Sequence, residues 1–414
     1  MRKVIFTGSI ANSLEWYDFA LYANFASILG KKFFPEFEEN LALLATLTVF
    51  AAGFIMRPFG AILFGIIGDK YGRKVSLSIA ILSMSIPTTL VGLLPTYDQI
   101  GIIAPVLLCA LRLIQGLSLG GALIGSVSYI VEHSKPKYRG FVGSISMFSL
   151  CLGFLLGSLA AWISSKYMTQ ASFEEYGWRL PFLFGIAALI VSYYLAKHAK
   201  ESPEFDRAKQ EGLLVQKPLN KILKKFKFRV FHSIAINSLG SVGFYIFAVF
   251  IGKYLEAEKD MSLSEVSLLG TYSMILVMFF VLLAGWLSDK LGKKLWFICT
   301  ALATIVLIYP IIHILQTGTG TQILLAQFLF GLLVASWIGP EPSLQMSMYP
   351  TYVRNTGVSL SYNVGCALFG GTAPVICQYF YDKHSNISFI GLYIICIAAL
   401  SLIATFKYRE NYDF

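Results

Sequence analysis

Apolar residues gather in twelve long runs separated by short polar breaks, and the runs do not alternate apolar and polar positions as barrel strands would. They cover 5–29, 42–68, 75–95, 102–131, 141–165 and 178–197 in the first half, then 230–252, 264–288, 295–315, 321–348, 356–379 and 387–407 in the second. A helix needs about 20 residues to cross a hydrocarbon core about 30 Å thick. Barrel strands would be about ten residues long. The pattern therefore predicts an all-α membrane protein with twelve transmembrane helices. The longest runs leave room for tilt or interfacial ends. The first run carries Asn12, Glu15 and Asp18 and shows no small-residue cleavage site, so it reads as a mature helix and not a leader.

Composition agrees with this reading. Hydrophobic residues make up 56% of the 414 and charged residues only 14%, against roughly 25% charged in a soluble domain. A soluble enzyme is excluded. Of 33 Lys and Arg, 24 fall at the termini and in the even-to-odd breaks, and seven fall on the other side. That asymmetry predicts both termini in the cytoplasm and accounts for most of the net charge of +10. Only the segment around 199–229 is substantially hydrophilic. It divides the chain into an N-terminal six-helix bundle at 1–198, a basic cytoplasmic linker at 199–229 and a C-terminal six-helix bundle at 230–414. Pro218 interrupts the linker, and 220–228 reads as a short amphipathic surface helix. Its basic residues link two membrane halves, so membrane lipid and not nucleic acid is the expected partner. The six cysteines lie in apolar runs without metal spacing, so no metal site is expected. Nor is there a phosphate-binding loop, which speaks against ATP-driven transport.

A ten-residue string occurs twice, 220 positions apart: Gly65–Lys74 (GIIGDKYGRK) and Gly285–Lys294 (GWLSDKLGKK). Each leaves one apolar run, turns through a glycine and enters the next. Internal duplication of this kind suits a transporter. Lys293 stands where the first copy has Arg73, which keeps the charge and loses the planar fork.

Charged residues inside the runs are the candidate chemistry, because a charge in lipid is costly unless it faces a cavity or a partner. Glu15 and Asp18 lie about one turn apart on the first helix, and Tyr22 continues that side. They are proton-coupling candidates. Arg112 sits about ten residues into helix 4 and remains protonated in essentially any site, so it requires a carboxylate, a polar cavity or the substrate. Arg57 lies in the cytoplasmic half of helix 2 and is a second, weaker candidate for ligand contact. Glu341, between Pro340 and Pro342, marks a broken helix 10 and is a third proton-coupling or gating candidate. Asn237, Tyr245, Trp337 and Asn363 are candidate cavity residues of the second half; an aromatic wall could attract a quaternary ammonium. Glu132 is expected to pair with Arg139 or with the loop between helices 2 and 3.

The chain resembles the major facilitator superfamily. Gly65–Lys74 matches that family's loop signature and Gly285–Lys294 its weaker echo. The strings EWYDF at 15–19, RPFG at 57–60, RLIQG at 112–116, RG at 139–140, GWRLPF at 177–182 and ESPEF at 201–205 narrow the resemblance to the metabolite:proton symporter group, and within it most to bacterial proline/betaine transporters. Members that share these strings also carry dicarboxylates, tricarboxylates or shikimate. The resemblance implies two six-helix bundles around a cavity lined by helices 1, 4, 7 and 10. It also implies a functional monomer in a bacterial inner membrane, without a bound cofactor and with a transported proton as coupling ion. Asp69 and Arg73 would form a cytoplasmic latch, and Asp289 with Lys293 a weaker one; Glu132 and Arg139 belong to the same gating group. The expected function is proton-coupled import of a small zwitterion such as proline or glycine betaine. The alternatives are a dicarboxylate or tricarboxylate symporter and, in another class, a non-transporting membrane sensor.

Overall fold

The structure is a computed structural model that describes residues 2–198, 200–259, 261, 263–384 and 387–408. Regular elements among these residues are helical. Eleven helical spans among the described residues are long and apolar enough to cross a membrane. The first helix, 23 residues long, reaches about 35 Å at 1.5 Å per residue, long enough for the expected twelfth crossing, but its polar residues keep it out of those eleven.

The chain divides into two compact units. The first comprises Met1–His133 and Ser149–Leu219. It contains α1 (Arg2–Asn24), α2 (Ala26–Phe33), α3 (Glu39–Lys70), α4 (Arg73–Leu93), α5 (Tyr97–Ile100), α6 (Ile103–Glu132) and the greater part of α7 (Arg139–Tyr167). It continues through the short α8 (Gln170–Ser172), a π-helical turn, α9 (Arg179–Leu183), α10 (Gly185–His198) and α11 (Pro203–Gln210). The first apolar run, expected as one helix, breaks at Phe25 and continues as α2. Two glycines bring α3 and α6 together. A Cβ at Gly116 would run into the carbonyl of Gly53, and one at Gly60 into the carbonyl of Leu117. Small residues therefore let the two backbones meet, the usual device where helix packing cannot draw on hydrophobic contrast with lipid. At the other end of the unit Trp178, Phe182, Phe33 and Phe25 form an aromatic core. The Arg179 guanidinium donates to the carbonyls of Gly92 and Leu94 at 3.1 and 2.7 Å. It thus satisfies acceptors that the C-terminus of α4 leaves open.

The second unit comprises Ser134–Phe148 and Asn220–Phe414. The boundary falls inside α12 (Pro218–Lys225), whose first residue is Pro218. The short helix expected at 220–228 is present as 218–225, with Pro218 as its first residue, where its missing N–H has no intrahelical partner to lose. Then follow α13 (Lys227–Tyr245), a π-helical turn at Ile246–Phe250, α14 (Ile251–Glu258), α15 (Leu263–Leu291) and α16 (Lys293–Thr317). The unit ends with α17 (Thr321–Ile338), α18 (Glu341–Ser347), α19 (Thr351–Gly365), a second π-helical turn at Cys366–Gly370, α20 (Ala373–His384) and α21 (Ser388–Lys407). The expected break in helix 10 is present: α17 ends at Ile338 and α18 begins at Glu341, with Pro340 between them and Pro342 in the first turn of α18 each lacking a donor.

Candidate functional site

In the first unit the buried charges converge. Asp18 on α1 accepts 3.0 Å from Arg112 Nη1 at Oδ2 and 3.1 Å from Gln115 Nε2 at Oδ1. Gln115 follows Arg112 by three residues on α6, so both side chains share a helix face. The second hydrogen of the Gln115 amide reaches Thr88 Oγ1 at 2.9 Å, and Thr88 in turn donates to the Met84 carbonyl at 2.8 Å. The Arg112 guanidinium lies 3.7 Å from the centroid of the Tyr22 ring. Tyr22 is held from its far end, donating to the Thr46 carbonyl at 3.2 Å. One guanidinium edge is thus bonded and one face stacked. Arg112 Nε and Nη2, both buried, have no hydrogen-bond partner among the described residues. A buried guanidinium with unused donors is costly, and a ligand carrying oxygen acceptors would relieve that cost.

Glu15 lies one turn earlier on α1 and does not join Asp18. Both of its oxygens are buried and lack a hydrogen-bond partner among the described residues. It lines a cavity of about 20 Å³ together with Tyr17, Ser85 and Thr88, about the room one water needs. Arg57 from α3 is the nearby opposite charge. Its guanidinium is buried, 5.6 Å from the Phe54 ring. Asn12, about one turn before Glu15, donates to Ser149 Oγ at 2.9 Å.

The second unit holds Glu341 differently. A single oxygen, Oε1, accepts from Asn237 Nδ2 and from Gln345 Nε2, both at 2.7 Å. Asn237 Oδ1 accepts from Ser241 at 2.9 Å. No ion pair to Glu341 is found among the described residues. Trp337 is buried beside this group, its indole N–H 3.1 Å from the Ile236 carbonyl and its ring edge-on to Phe297. Tyr245 is half-buried, and a Cβ at Gly370 would press on its ring at 2.8 Å. Asn363 donates to the Ser359 carbonyl at 2.9 Å, within its own helix. Of the four polar or aromatic candidates in this half, Asn237 bonds Glu341 directly, Trp337 lies against the same helices, and Tyr245 and Asn363 have other contacts.

The repeated loops form two further clusters. In the first copy Arg73 meets Asp69 at 3.3 Å and Glu132 at 3.0 Å, and its Nη1 donates to the Gly68 carbonyl at 2.7 Å. Glu201 accepts from the backbone N–H groups of Arg73 and Lys74 at 2.9 and 3.2 Å, and Ser202 donates to Glu132. Glu132 therefore pairs with the loop between helices 2 and 3, one of its two expected partners. In the second copy both Asp289 oxygens accept backbone N–H groups, from Gly140 at 2.7 Å and Phe141 at 2.8 Å. Arg139, buried, precedes these two donors at the start of α7. Lys293 begins α16 and acts on Asp289 through its charge.

Sequence reasoning missed Gln115, Thr88, Gln345 and the Glu201–Ser202 pair as members of these clusters. Gln115 and Gln345 were readable by spacing, at i+3 from Arg112 and i+4 from Glu341. Thr88 and Glu201 come from distant elements and carried no local signal.

Helical membrane units that bury ion-paired and uncompensated side chains fit a solute carrier. The chain belongs to the Major Facilitator Superfamily, whose family model matches residues 10–374; it is a membrane transporter and not an enzyme. It is 30% identical to the proline/betaine transporter of Escherichia coli K12 over 420 residues, covering 99% of this chain and 84% of that one. It is also 30% identical to a putative proline/betaine transporter of Staphylococcus aureus MSSA476, covering 99% and 89%. Among solved structures it is similar in fold to the proton:xylose symporter XylE bound to 6-bromo-6-deoxy-D-glucose, with a TM-score of 0.78 and 19% identity over 98% of this chain and 95% of that one.

Proposed function

We propose that this transporter is a proton-coupled importer of a small zwitterion, proline or glycine betaine, in a bacterial cytoplasmic membrane with both termini inside. The observation that carries the reading is the Arg112 guanidinium. It binds Asp18 with one N–H, stacks on Tyr22, and keeps Nε and Nη2 unused in a buried setting. A substrate carboxylate fits those donors as a bidentate partner. Asp18 and Glu15 are the proton carriers, and Glu341 is a third candidate. When Asp18 takes a proton, its hold on Arg112 weakens and the substrate carboxylate replaces it. Release inside follows as the site opens alternately to the two faces of the membrane. One proton moving down the potential supplies about 2.3 kcal/mol per 100 mV, enough to accumulate a neutral zwitterion. The names of the relatives, similar over nearly all of the chain, support the choice of substrate class. Asp69, Arg73, Glu132, Arg139, Asp289 and Lys293 serve as gating residues. The bundles 1–198 and 230–414 act as the two functional halves, joined by the basic linker 199–229 at the lipid surface, and one chain suffices.

The test is uptake into proteoliposomes of labelled proline, glycine betaine, 2-oxoglutarate and citrate, with and without a proton gradient. Saturable uptake of proline or betaine that requires the gradient is expected. Preference for 2-oxoglutarate or citrate would replace the zwitterion by the carboxylate reading. Transport indifferent to the gradient would remove proton coupling, and no flux of any solute would favour a sensor.

A further inference from the structure

The Gln115 amide is placed where a change in Asp18 must be felt. It donates one hydrogen to Asp18 Oδ1 at 3.1 Å and the other to Thr88 Oγ1 at 2.9 Å, while its own Oε1 is buried and has no partner among the described residues. With Asp18 ionised this orientation is forced, because the opposite one would set a carbonyl oxygen against a carboxylate oxygen. With Asp18 protonated the preference reverses. The carboxyl O–H then needs an acceptor, and the Gln115 carbonyl supplies it after a half-turn about the terminal torsion, which is broad and roughly two-fold. Thr88 can follow, turning its hydroxyl hydrogen from the Met84 carbonyl, where it now lies at 2.8 Å, toward the incoming oxygen. An amide carries both donor and acceptor on one rigid plane, so the same residue can satisfy both protonation states of its neighbour.

We infer that Gln115 is a positioning residue for proton coupling: its amide turns over when Asp18 gains or loses its proton, and so holds Asp18 in place while Arg112 changes partners. The charged group that meets Asp18 is Arg112 from α6, and the titratable groups beside it on its own helix are Tyr17 and Tyr22. From α4 the group presented is the uncharged Thr88. The carboxylate therefore has one cation and one switchable neutral partner. Losing the neutral partner leaves Asp18 fixed by the guanidinium that the substrate must borrow.

This inference rests on the assignment of Asp18 as a proton carrier, and the experiment separates the two. Full-length protein carrying Gln115→Met, Thr88→Val or Asp18→Asn is reconstituted in proteoliposomes. Proton-driven net uptake and counterflow exchange of labelled proline or glycine betaine are compared. Gln115→Met keeps the length and removes both hydrogen-bonding functions. It is expected to lower the ratio of net uptake to counterflow at least about 10-fold, which is the loss of roughly one hydrogen bond to a charged group. Thr88→Val keeps the shape and is expected to lower the ratio about 3-fold. In infrared difference spectra, the carboxyl band that disappears in Asp18→Asn should shift in Gln115→Met. Equal losses in uptake and counterflow would mean a merely structural role and overturn the inference. So would an unchanged ratio and band in Gln115→Met when Asp18→Asn has lost net uptake. If Gln115→Met fails to fold, the ratio in Thr88→Val decides. Proton-driven uptake retained in Asp18→Asn would instead refute the assignment of Asp18 itself.

Discussion

The two copies of the loop share a turn glycine with positive φ, 113° at Gly72 and 88° at Gly292, and an aspartate three residues before it. They use that aspartate in opposite ways. Asp69 meets a side chain, Arg73, which also holds Glu132 and the Gly68 carbonyl. Asp289 meets backbone, closing the first N–H groups of α7, where the helix end leaves donors open and favours negative charge. The residue four positions on explains the split. Arginine offers five donors in a fixed plane and can serve several acceptors at once, whereas lysine is a flexible point charge. The same contrast recurs deeper in each unit. Asp18 is paired with a cation, while Glu341 is held by two neutral amides. In the first unit, charge neutralises charge; in the second, neutral donors do the work.

Breaking the central ion pair should give the largest effect. Arg112→Gln leaves Asp18 buried with only an amide, and loss of one partner of a buried pair costs about 3–5 kcal/mol. Uptake in proteoliposomes is expected to fall at least about 100-fold. Arg112→Lys should recover part of this, because it restores the charge and not the fork. Equal activity of the lysine variant and the parent would show that the unused Nε and Nη2 donors are irrelevant to the substrate.

Neutralising each buried carboxylate in turn sharpens the comparison. Asp18→Asn strands the Arg112 charge and should destabilise the protein by about 3 kcal/mol. Glu341→Gln strands no cation, and since Oε1 alone accepts both bonds, the new amide oxygen can keep them. Its cost should stay within about 1 kcal/mol. Thermal unfolding in detergent would order the two, and an equal loss would mean that Glu341 has a charged partner in the working protein. Transport can still fail in Glu341→Gln if its proton is used.

How much of this was readable beforehand depended on distance along the chain. Twelve crossings, the break at Pro340 and the duplicated loop follow from apolar length, proline chemistry and repetition, all local properties. Glu15, Asp18 and Arg112 stood out because charge in lipid is costly. What they do with that charge was not local. Glu15 and Asp18 share a helix side in the sequence, yet one lines a small cavity and the other binds Arg112. The divergence is set by Thr88 and Gln115, which arrive from other helices. Likewise the closeness of Asp69 and Arg73 was visible from their spacing, but Glu201, which caps the turn from 128 positions away, was not.

Exchanging the loop residues tests the contrast between the two copies. Arg73→Lys removes the shared contact to Asp69, Glu132 and the Gly68 carbonyl in a fully buried position, and about 2–3 kcal/mol of stability should go with it. Lys293→Arg at the half-buried second copy should change stability by no more than about 0.5 kcal/mol. Similar losses at both positions would mean that the second loop is held by its lysine and not by the helix cap.

A smaller effect than that of Arg73→Lys should come from Asp289→Asn. Asparagine caps a helix nearly as well as aspartate, so it can keep one of the two backbone bonds to Gly140 and Phe141, but it loses the interaction of a full negative charge with the N-terminus of α7. That interaction is worth about 0.3–1 kcal/mol. Asp289→Ala removes both bonds and should cost about 1–2 kcal/mol. The order Ala below Asn below parent, read as protection of the Gly140 and Phe141 amides from hydrogen exchange, follows from capping. If Asn and Ala were equally damaging, the charge and not the cap would matter, and Asp289 would act on Lys293 much as Asp69 acts on Arg73, erasing the difference between the two loops.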